Sequence, residues 1–413
     1  MTDKPRAATV LLAHPSAELY GSDRVLLETV QGLCEHGARV VVTVPSAGPL
    51  VAEIRARGGV VELCPTPVLR KDVLRPAGAL RCLLEAVRGL PAGVALLRRT
   101  RPDVVFVNTL TIPLWVVLGR LSLRSVVCHV HEAERSVPAL IRRLLAAPVL
   151  LAHHVVLNSR FSLDVLAGSF PSLRRRATVV YNGIPGPWQP VAAREHVTGT
   201  ARLLYVGRLS PRKGPAVALD ALSILVDRGV DARLDLVGSV FSGYEWFGAE
   251  LAEKVAADPR LRERVSFHGF VADIWPHVAS SDIVIVPSML DEPFGNTAVE
   301  AVLAARPAVV SATSGLLEAA AGYQSVRTVE PAQPGALADA VCVILGDWET
   351  YRDAAVADSA RARELHAPQA FRDEMAQLVG AVGAKGALPR VQWALPRVHR
   401  HARAPQQVAP DGE

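Results

Sequence analysis

Arg202-Leu-Leu-Tyr-Val-Gly-Arg-Leu-Ser-Pro-Arg-Lys-Gly214, followed by a helical pattern over Pro215–Arg228, decides the fold class. Arg202–Val206 is a short run rich in apolar residues that reads as a buried strand, and Gly207 permits a tight loop at its end. A strand, a short loop and a helix form the repeating unit of a parallel sheet covered by helices. Ligands of such sheets sit beyond the C-terminal strand ends, so Gly207–Gly214 is where a binding loop is expected.

The same alternation extends in both directions. Downstream, strands are expected at Arg233–Val237, Val265–Phe267, Ile283–Val286, Ala308–Ser311 and Val326–Val329. Helices are expected at Asn296–Ala305, Gly335–Leu345 and Trp348–Leu365, with a short one at Pro368–Val379. Upstream, the strand candidates are Thr9–Leu12, Arg39–Val44, Val60–Leu63, Val104–Asn108, Ser125–Val130, Val155–Asn158 and Thr178–Tyr181. Between them lie helical patterns such as Asp23–Cys34, where Val25, Leu26, Thr29, Val30 and Leu33 share one face and Gly37 marks the stop. Gly183-Ile-Pro-Gly-Pro-Trp-Gln-Pro190 and the polar residues after it interrupt the series and read as a linker. The expected division is an N-terminal domain at 1–188, a C-terminal domain at 189–366, a helix at 367–382 for which a return to the first domain is one option, and a Pro-, Arg- and His-rich disordered tail at 383–413.

Composition agrees with two globular domains: of 413 residues, 50% are apolar and 21% charged. A net charge of +5 does not call for a nucleic-acid partner. Arginines do cluster, at Arg98, Arg99 and Arg101, at Arg142 and Arg143, and at Arg174, Arg175 and Arg176. The plain reading is solvated surface; the sharper one is a face toward anionic lipid, helped by the apolar neighbours of Arg142 and Arg143. Cys34, Cys64, Cys82, Cys128 and Cys342 are scattered without a CxxC, which fits neither zinc nor a disulfide framework and points to a reducing compartment. No stretch has the form of a signal peptide or reaches the ~20 apolar residues of a membrane span. A cytoplasmic protein, soluble or peripheral at the inner membrane face, is expected.

Several common phosphate-binding devices are missing. The sequence has no GxG, hence no dinucleotide fingerprint, and no GK pair, hence no Walker loop. It has no HExxH, and no DxD to clamp a metal–diphosphate. Two other constellations stand at strand ends. In Gly207-Arg208…Lys213-Gly214, a forked cation and a pointlike one suit a diphosphate, although a basic surface loop is the bland alternative. After Ile283–Val286 comes Pro287-Ser288, then Asp291-Glu292-Pro-Phe-Gly-Asn-Thr-Ala-Val-Glu300. Gly295, Asn296 and Thr297 open a helix whose free N–H groups and positive dipole end suit phosphate. Glu292 lies in the loop and Glu300 about one turn inside the helix, where each can accept hydrogen bonds from hydroxyls. Acidic residues are also ordinary in a helix's first turn.

These residues resemble the large retaining GT-B glycosyltransferase family known as glycosyltransferase group 1 or family 4. The resemblance rests on Gly207-Arg208…Lys213-Gly214 and on Glu292-Pro-Phe-Gly-Asn-Thr-Ala-Val-Glu300. Supporting it are Phe267-His-Gly269, Asp282 with Pro287-Ser288, Tyr181-Asn-Gly-Ile184 and Asn158-Ser159. It implies an α/β protein of GT-B type, with two Rossmann-like, doubly wound parallel-sheet domains facing across a cleft. It further implies that Arg208 and Lys213 neutralise the diphosphate, with Gly207 at the turn. Glu292 would bind the transferred sugar and Glu300 the ribose. Backbone groups near Phe294, Gly295, Asn296 and Thr297 would hold sugar and phosphate, and Gly269, Phe270 and Val271 would lie near the base. The catalytic set implied is Glu292, His131, Arg208 and Lys213.

In the N-terminal half, Tyr20-Gly21-Ser22-Asp23 stands where the family has Gly-Gly in a loop that approaches phosphate and acceptor. Ser22 replaces the second glycine and is expected to N-cap the helix. His131, before Glu132, is expected in the cleft, with His129 as an alternative on the same face. The implied reaction transfers a sugar from a nucleotide-diphosphate donor to a hydroxyl of a lipid-linked glycan, polysaccharide or small molecule. The implied chemistry retains the anomeric configuration, with no cofactor, no metal and no assigned nucleophile. A sugar-nucleotide epimerase of the same architecture, or a non-catalytic sugar-nucleotide-binding protein, are the alternatives.

Overall fold

The computed structural model describes residues 7–69, 75–240 and 243–386. Its N-terminal half alternates β1 (Thr9–Ala13), α1 (Gly21–Glu35), β2 (Arg39–Val44), α2 (Pro49–Ala56), β3 (Val60–Leu63), α3 (Pro76–Thr100) and β4 (Val104–Val107). It continues with α4 (Pro113–Leu121), β5 (Ser125–Val130), α5 (Ala139–Ala146), β6 (His154–Leu157), α6 (Arg160–Ser169) and β7 (Ala177–Val179). These strands form one sheet in the order β3-β2-β1-β4-β5-β6-β7, parallel throughout. β1, β4 and β5 are buried along their whole length, as expected of strands covered on both faces.

An irregular stretch over 180–200 leads into the second half. There the order is β8 (Ala201–Val206), α7 (Pro215–Asp227), β9 (Ala232–Val237), α8 (Glu245–Ala257), β10 (Val265–Gly269), α9 (Trp275–Ser280) and β11 (Ile283–Val286). α10 (Asn296–Leu303), β12 (Ala308–Ser311), α11 (Ser314–Ala320), β13 (Val326–Val329), α12 (Pro334–Gly346) and α13 (Trp348–Leu365) complete it. The second sheet runs β10-β9-β8-β11-β12-β13, again all parallel. Both sheets are doubly wound α/β units, so the GT-B architecture is the observed one. Each reverses strand order at one point, between β1 and β4 and between β8 and β11, and a crevice opens there.

The last helix, α14 (Pro368–Gly386), packs back on α1 of the first half. Phe371, Met375, Ala376 and Val379 enter the core formed by α1, β1, β2 and β4. Gly32 of α1 makes room for this approach, because a Cβ there would come within 2.7 Å of Arg372 Cβ. Arg372 seals the contact with Glu28 at 2.7 Å. This helix is longer than the short one expected. It occupies 383–386, which the sequence assigned to the tail; the rest of that tail, 387–413, lies outside the described residues.

Ser22 is not the N-cap of α1. The helix begins at Gly21, which puts Tyr20 in the cap position. Asp23 supplies the reciprocal bond, accepting from the Tyr20 N–H at 2.7 Å. The Asp23 carboxylate thus holds the backbone N–H of the cap residue, and Ser22 falls inside the first turn, where its side chain is exposed.

Candidate active site

The C-terminal half contributes the ends of β8 and β11, neighbours at the switch point. After β8 the chain passes through Gly207 and Arg208, makes a short 3-10 turn over Pro211–Lys213, and reaches Gly214. Gly214 has φ +69°, and a Cβ there would stand 1.9 Å from the Pro287 carbonyl oxygen at the end of β11. Only glycine lets the two loops close together. That closure brings Lys213 Nζ within 2.8 Å of Glu292 Oε1. Ser288 Oγ donates to the same carboxylate at 3.0 Å. Burial pushes the Glu292 carboxyl up, but Lys213 and Arg212 outweigh it and the group ends below its ordinary value.

Gly295, with φ +122°, caps α10, and its missing side chain admits Leu316, whose Cδ2 would be 2.5 Å from a Cβ. Asn296 and Thr297 form the first turn of this helix. Glu300 stands one turn further in; burial raises its carboxyl, with Arg24 and Lys213 opposing. Opposite lies the start of α1. Gly21 faces Asn296, whose Nδ2 would be 3.3 Å from a Cβ at that position. Asn182, beyond β7, donates to Asn296 Oδ1 at 2.7 Å. Tyr20 meets the Phe270 ring edge-on at 6.1 Å, and Arg208 lies over the Tyr20 ring at 5.1 Å. Arg24 crosses the other way to the Ala272 carbonyl at 2.6 Å. Two helix N-termini and the cations Arg24, Arg208 and Lys213 thus converge between the sheets, an arrangement suited to polyanion binding.

The N-terminal wall is made by the ends of β1, β4 and β5. His131 follows β5 and its Nε2 pairs with Asn108 Oδ1 at 3.1 Å. Burial, then the neighbouring His14, hold its pKa down to about 3 against the pull of Asp23. His129 shares its face, ring centroids 3.9 Å apart, but is fully buried, and neither of its nitrogens has a partner. His131 is therefore the one open to the cleft. Glu132 turns to Thr109 Oγ1 and to the Leu110 N–H at 3.2 Å, and so serves the β4 loop.

Gly207, Arg208, Lys213, Glu292, Gly295, Asn296, Thr297 and Glu300 come together at the switch point of the second sheet, and Gly21 faces them. The Phe294 ring does not join them: it is buried against Tyr181 and His366, which leaves only its backbone to the site. Gly269 accepts the Gly238 N–H at 2.8 Å, Phe270 is exposed beside Tyr20, and Val271 packs inward. Sequence reasoning missed Tyr20, Arg24, His14, Asn108 and Asn182 as site residues. Their position directly after β1, β4 and β7 is the signal that marks most of them. Among the described residues, no group of three His, Cys, Asp or Glu side chains is placed to hold a metal ion.

Two family models match the chain, one described as "Glycosyl transferases group 1" over residues 200–347 and one as "Glycosyltransferase Family 4" over residues 20–185. An uncharacterised glycosyltransferase of Methanocaldococcus jannaschii is 29% identical over 208 residues, 47% of this chain and 51% of that one. A GDP-mannose-dependent alpha-(1-6)-phosphatidylinositol dimannoside mannosyltransferase of Mycobacterium tuberculosis is 34% identical over 164 residues, 38% of this chain and 40% of its own length. The chain thus spans about half or less of the length of these curated relatives. Among solved structures, Anabaena HepE in complex with UDP-glucose superposes with a TM-score of 0.77 at 20% identity, over 90% of this chain and 99% of that one; this likeness speaks for the fold alone. With each half matched by its own family model and the two sheets meeting at paired switch points, the chain belongs to the group 1, family 4 glycosyltransferases.

Proposed function

We propose that this chain transfers a sugar from a nucleotide-diphosphate donor to a hydroxyl acceptor with retention of configuration and without a metal. The observation that carries the reading is the Lys213–Glu292 pair at 2.8 Å, which joins the loop that carries Arg208 to the loop that leads into the α10 N-terminus. Cations and helix amides can meet the charge that grows on the departing diphosphate. Glu292, ionised and buried, is an acceptor for sugar hydroxyls, and Glu300 is one for the ribose. In the proposed step the bond from the anomeric carbon to the diphosphate oxygen breaks. The acceptor oxygen bonds to that carbon from the same face, and its proton passes to the departing phosphate. No enzyme nucleophile is required.

Incubation of the protein with UDP-, GDP- and ADP-hexoses and a panel of glycan and lipid acceptors tests this reading. The expected result is one nucleotide released per new glycosidic bond, with unchanged anomeric configuration and full activity in EDTA. Inversion, or a requirement for added divalent metal, would reject it.

We further propose that the acceptor is met at an anionic membrane surface. Support comes from α3, where Leu80, Leu83, Leu84, Val87 and Leu90 recur at helical spacing and are each 48–64% exposed. Leu140 and Leu144 of α5 are 70% and 65% exposed. α3 packs on α4, and α4 and α5 share the 3-10 turn Ala147–Leu151, so these stripes belong to one side of the sheet. Arg81, Arg88 and Arg143 stand among them, the pattern of an interfacial helix face. Arg142 is partly spent on Ser169 Oγ at 3.3 Å. No described helix is long and apolar enough to cross a membrane. Co-sedimentation with anionic phospholipid vesicles, lost in Leu83→Glu/Val87→Glu, is the expected outcome; no sedimentation at low salt would reject it.

A further inference from the structure

A hydrogen-bonded chain runs behind His131 and connects three strand ends. Asp23, in the first turn of α1, accepts from Ser16 Oγ at 2.9 Å and from the Tyr20 N–H at 2.7 Å. His14 Nε2 lies 2.6 Å from Asp23 Oδ1. His14 Nδ1 lies 3.1 Å from Asn108 Nδ2, and Asn108 Oδ1 lies 3.1 Å from His131 Nε2. His14, Asp23 and Asn108 are all buried, so each polar atom must find its partner within the chain.

The direction of every bond follows from its two ends and from the Asn108 amide. A carboxylate only accepts, so His14 Nε2 carries the proton toward Asp23. Asn108 presents its NH2 group to His14 Nδ1, which is therefore the acceptor. That turns the Asn108 carbonyl toward His131, whose Nε2 must then donate. His131 Nδ1 is left with its lone pair. It has no hydrogen-bond partner among the described residues, nor is it one of their sealed, unpartnered atoms. Behind the ring, His129 lies tilted at 3.9 Å between centroids and Phe106 meets His129 edge-on at 5.9 Å; neither makes a hydrogen bond to His131.

We propose that Asp23, His14 and Asn108 are positioning residues that lock His131 as the Nε2–H tautomer, so that Nδ1 faces bound substrate as an obligate hydrogen-bond acceptor. A neutral acceptor in that place selects a hydroxyl and disfavours a carboxylate, which would set acceptor against acceptor. The substrate half of the inference rests on the proposed sugar-binding cleft; the tautomer half stands without it.

Two-bond 15N–1H correlation spectra of the 15N-histidine-labelled full chain at neutral pH test the inference, with His131 assigned from its loss in His131→Gln. The wild type is expected to show a single His131 tautomer with the proton on Nε2. Asn108→Ala, or the isosteric Asp23→Asn should the first not fold, is expected to give averaged His131 shifts and to move those of His14, while the histidines outside this chain keep theirs. A proton on Nδ1 in the wild type, or an unchanged His131 in a folded variant, would overturn the locking chain. For the substrate half, a saturating nucleotide-hexose should move the Nδ1 resonance toward that of a hydrogen-bonded acceptor, and Asn108→Ala should bind the donor roughly five- to tenfold more weakly. A bound donor that leaves Nδ1 unmoved overturns the substrate half alone. Absence of any donor binding counts against the cleft reading and leaves the tautomer result standing.

Discussion

Lys213 Nζ and Glu292 Oε1 lie 2.8 Å apart, joining the loop after β8 to the loop after β11 across the switch point of the second sheet. The two members are unequal: the Glu292 side chain is 8% exposed and that of Lys213 29%. Lys213→Met strands a buried carboxylate, whereas Glu292→Gln leaves a lysine that can turn to water. Lys213→Met is therefore expected to cost more stability than Glu292→Gln, by about 1–2 kcal/mol after allowance for the solvent around Lys213 and the nearby Arg212. Both are expected to lower kcat/KM at least ~100-fold. Urea melts and initial rates on the two variants measure this, and equal stability losses would contradict it.

Gly214→Ala tests the closure that makes the pair. Its φ of +69° and the Pro287 oxygen 1.9 Å from the would-be Cβ allow no side chain without moving a loop. A loss of more than about 2 kcal/mol is expected. A crystal structure of the variant with Lys213 and Glu292 still in contact, at full activity, would contradict it.

Buried imidazoles, His129 and His366 beside the site residue His131, give the fold a pH dependence of definite sign. Burial holds His129 well below its ordinary value and His366 down to about 4. In the unfolded chain both titrate near pH 6.5, so between about pH 6.5 and 4 the unfolded state binds more protons. Stability is full above that window and falls as pH falls, by up to about 1.4 kcal/mol per pH unit for each group. His129 has no hydrogen bond to lose, so His129→Phe is expected to fold and to flatten this slope. A variant as acid-sensitive as the wild type, in melts at about pH 7.5 and 5.5, would refute the assignment.

Arg306 is buried without a carboxylate in hydrogen-bond contact. Nε donates to the Val278 and Ser281 carbonyls at 3.1 and 2.9 Å, Nη2 to Ala279 at 2.6 Å, and Nη1 to Val191 at 2.7 Å. It ties the linker to the C-terminal end of α9, with further bonds to the carbonyls of Ala304 and Ala305 after α10. Arg306→Met leaves these carbonyls unpaired and is expected to cost about 3 kcal/mol or more. A midpoint within error of wild type in thermal melts would show that water replaces the guanidinium.

Strands reproduce their sequence reading whether buried or not: Ser125–Val130, Ile283–Val286 and Ala308–Ser311 are buried throughout, while Val60–Leu63 and Val326–Val329 have the expected bounds with their side chains partly exposed, because short β-branched runs between turns mark each of them. The loops after β8 and β11 are legible because their chemistry is local, a glycine turn with cations and a helix start with acids. What stayed hidden joins distant segments. Asn108 reads as the last residue of a strand, but β4 stops at Val107 and frees its side chain to bridge His14 and His131. Gly380 and Gly383 suggest an early end to α14, yet the helix continues because Leu378 and Val382 pack against the first core and Ser125 Oγ donates to the Val382 carbonyl at 3.2 Å. Arg24 carries no motif; only the facing of α1 and α10 gives it a role.

The most direct test is calorimetric titration of the full chain with UDP-, GDP- and ADP-hexoses, beside Arg208→Ala. One nucleotide series should bind, and the variant should lose about 1.5–3 kcal/mol, or roughly ten- to a hundredfold in affinity, at that single contact to a charged group. Equal binding by wild type and Arg208→Ala, or heat with none of the nucleotide sugars, would contradict a diphosphate site between the two sheets.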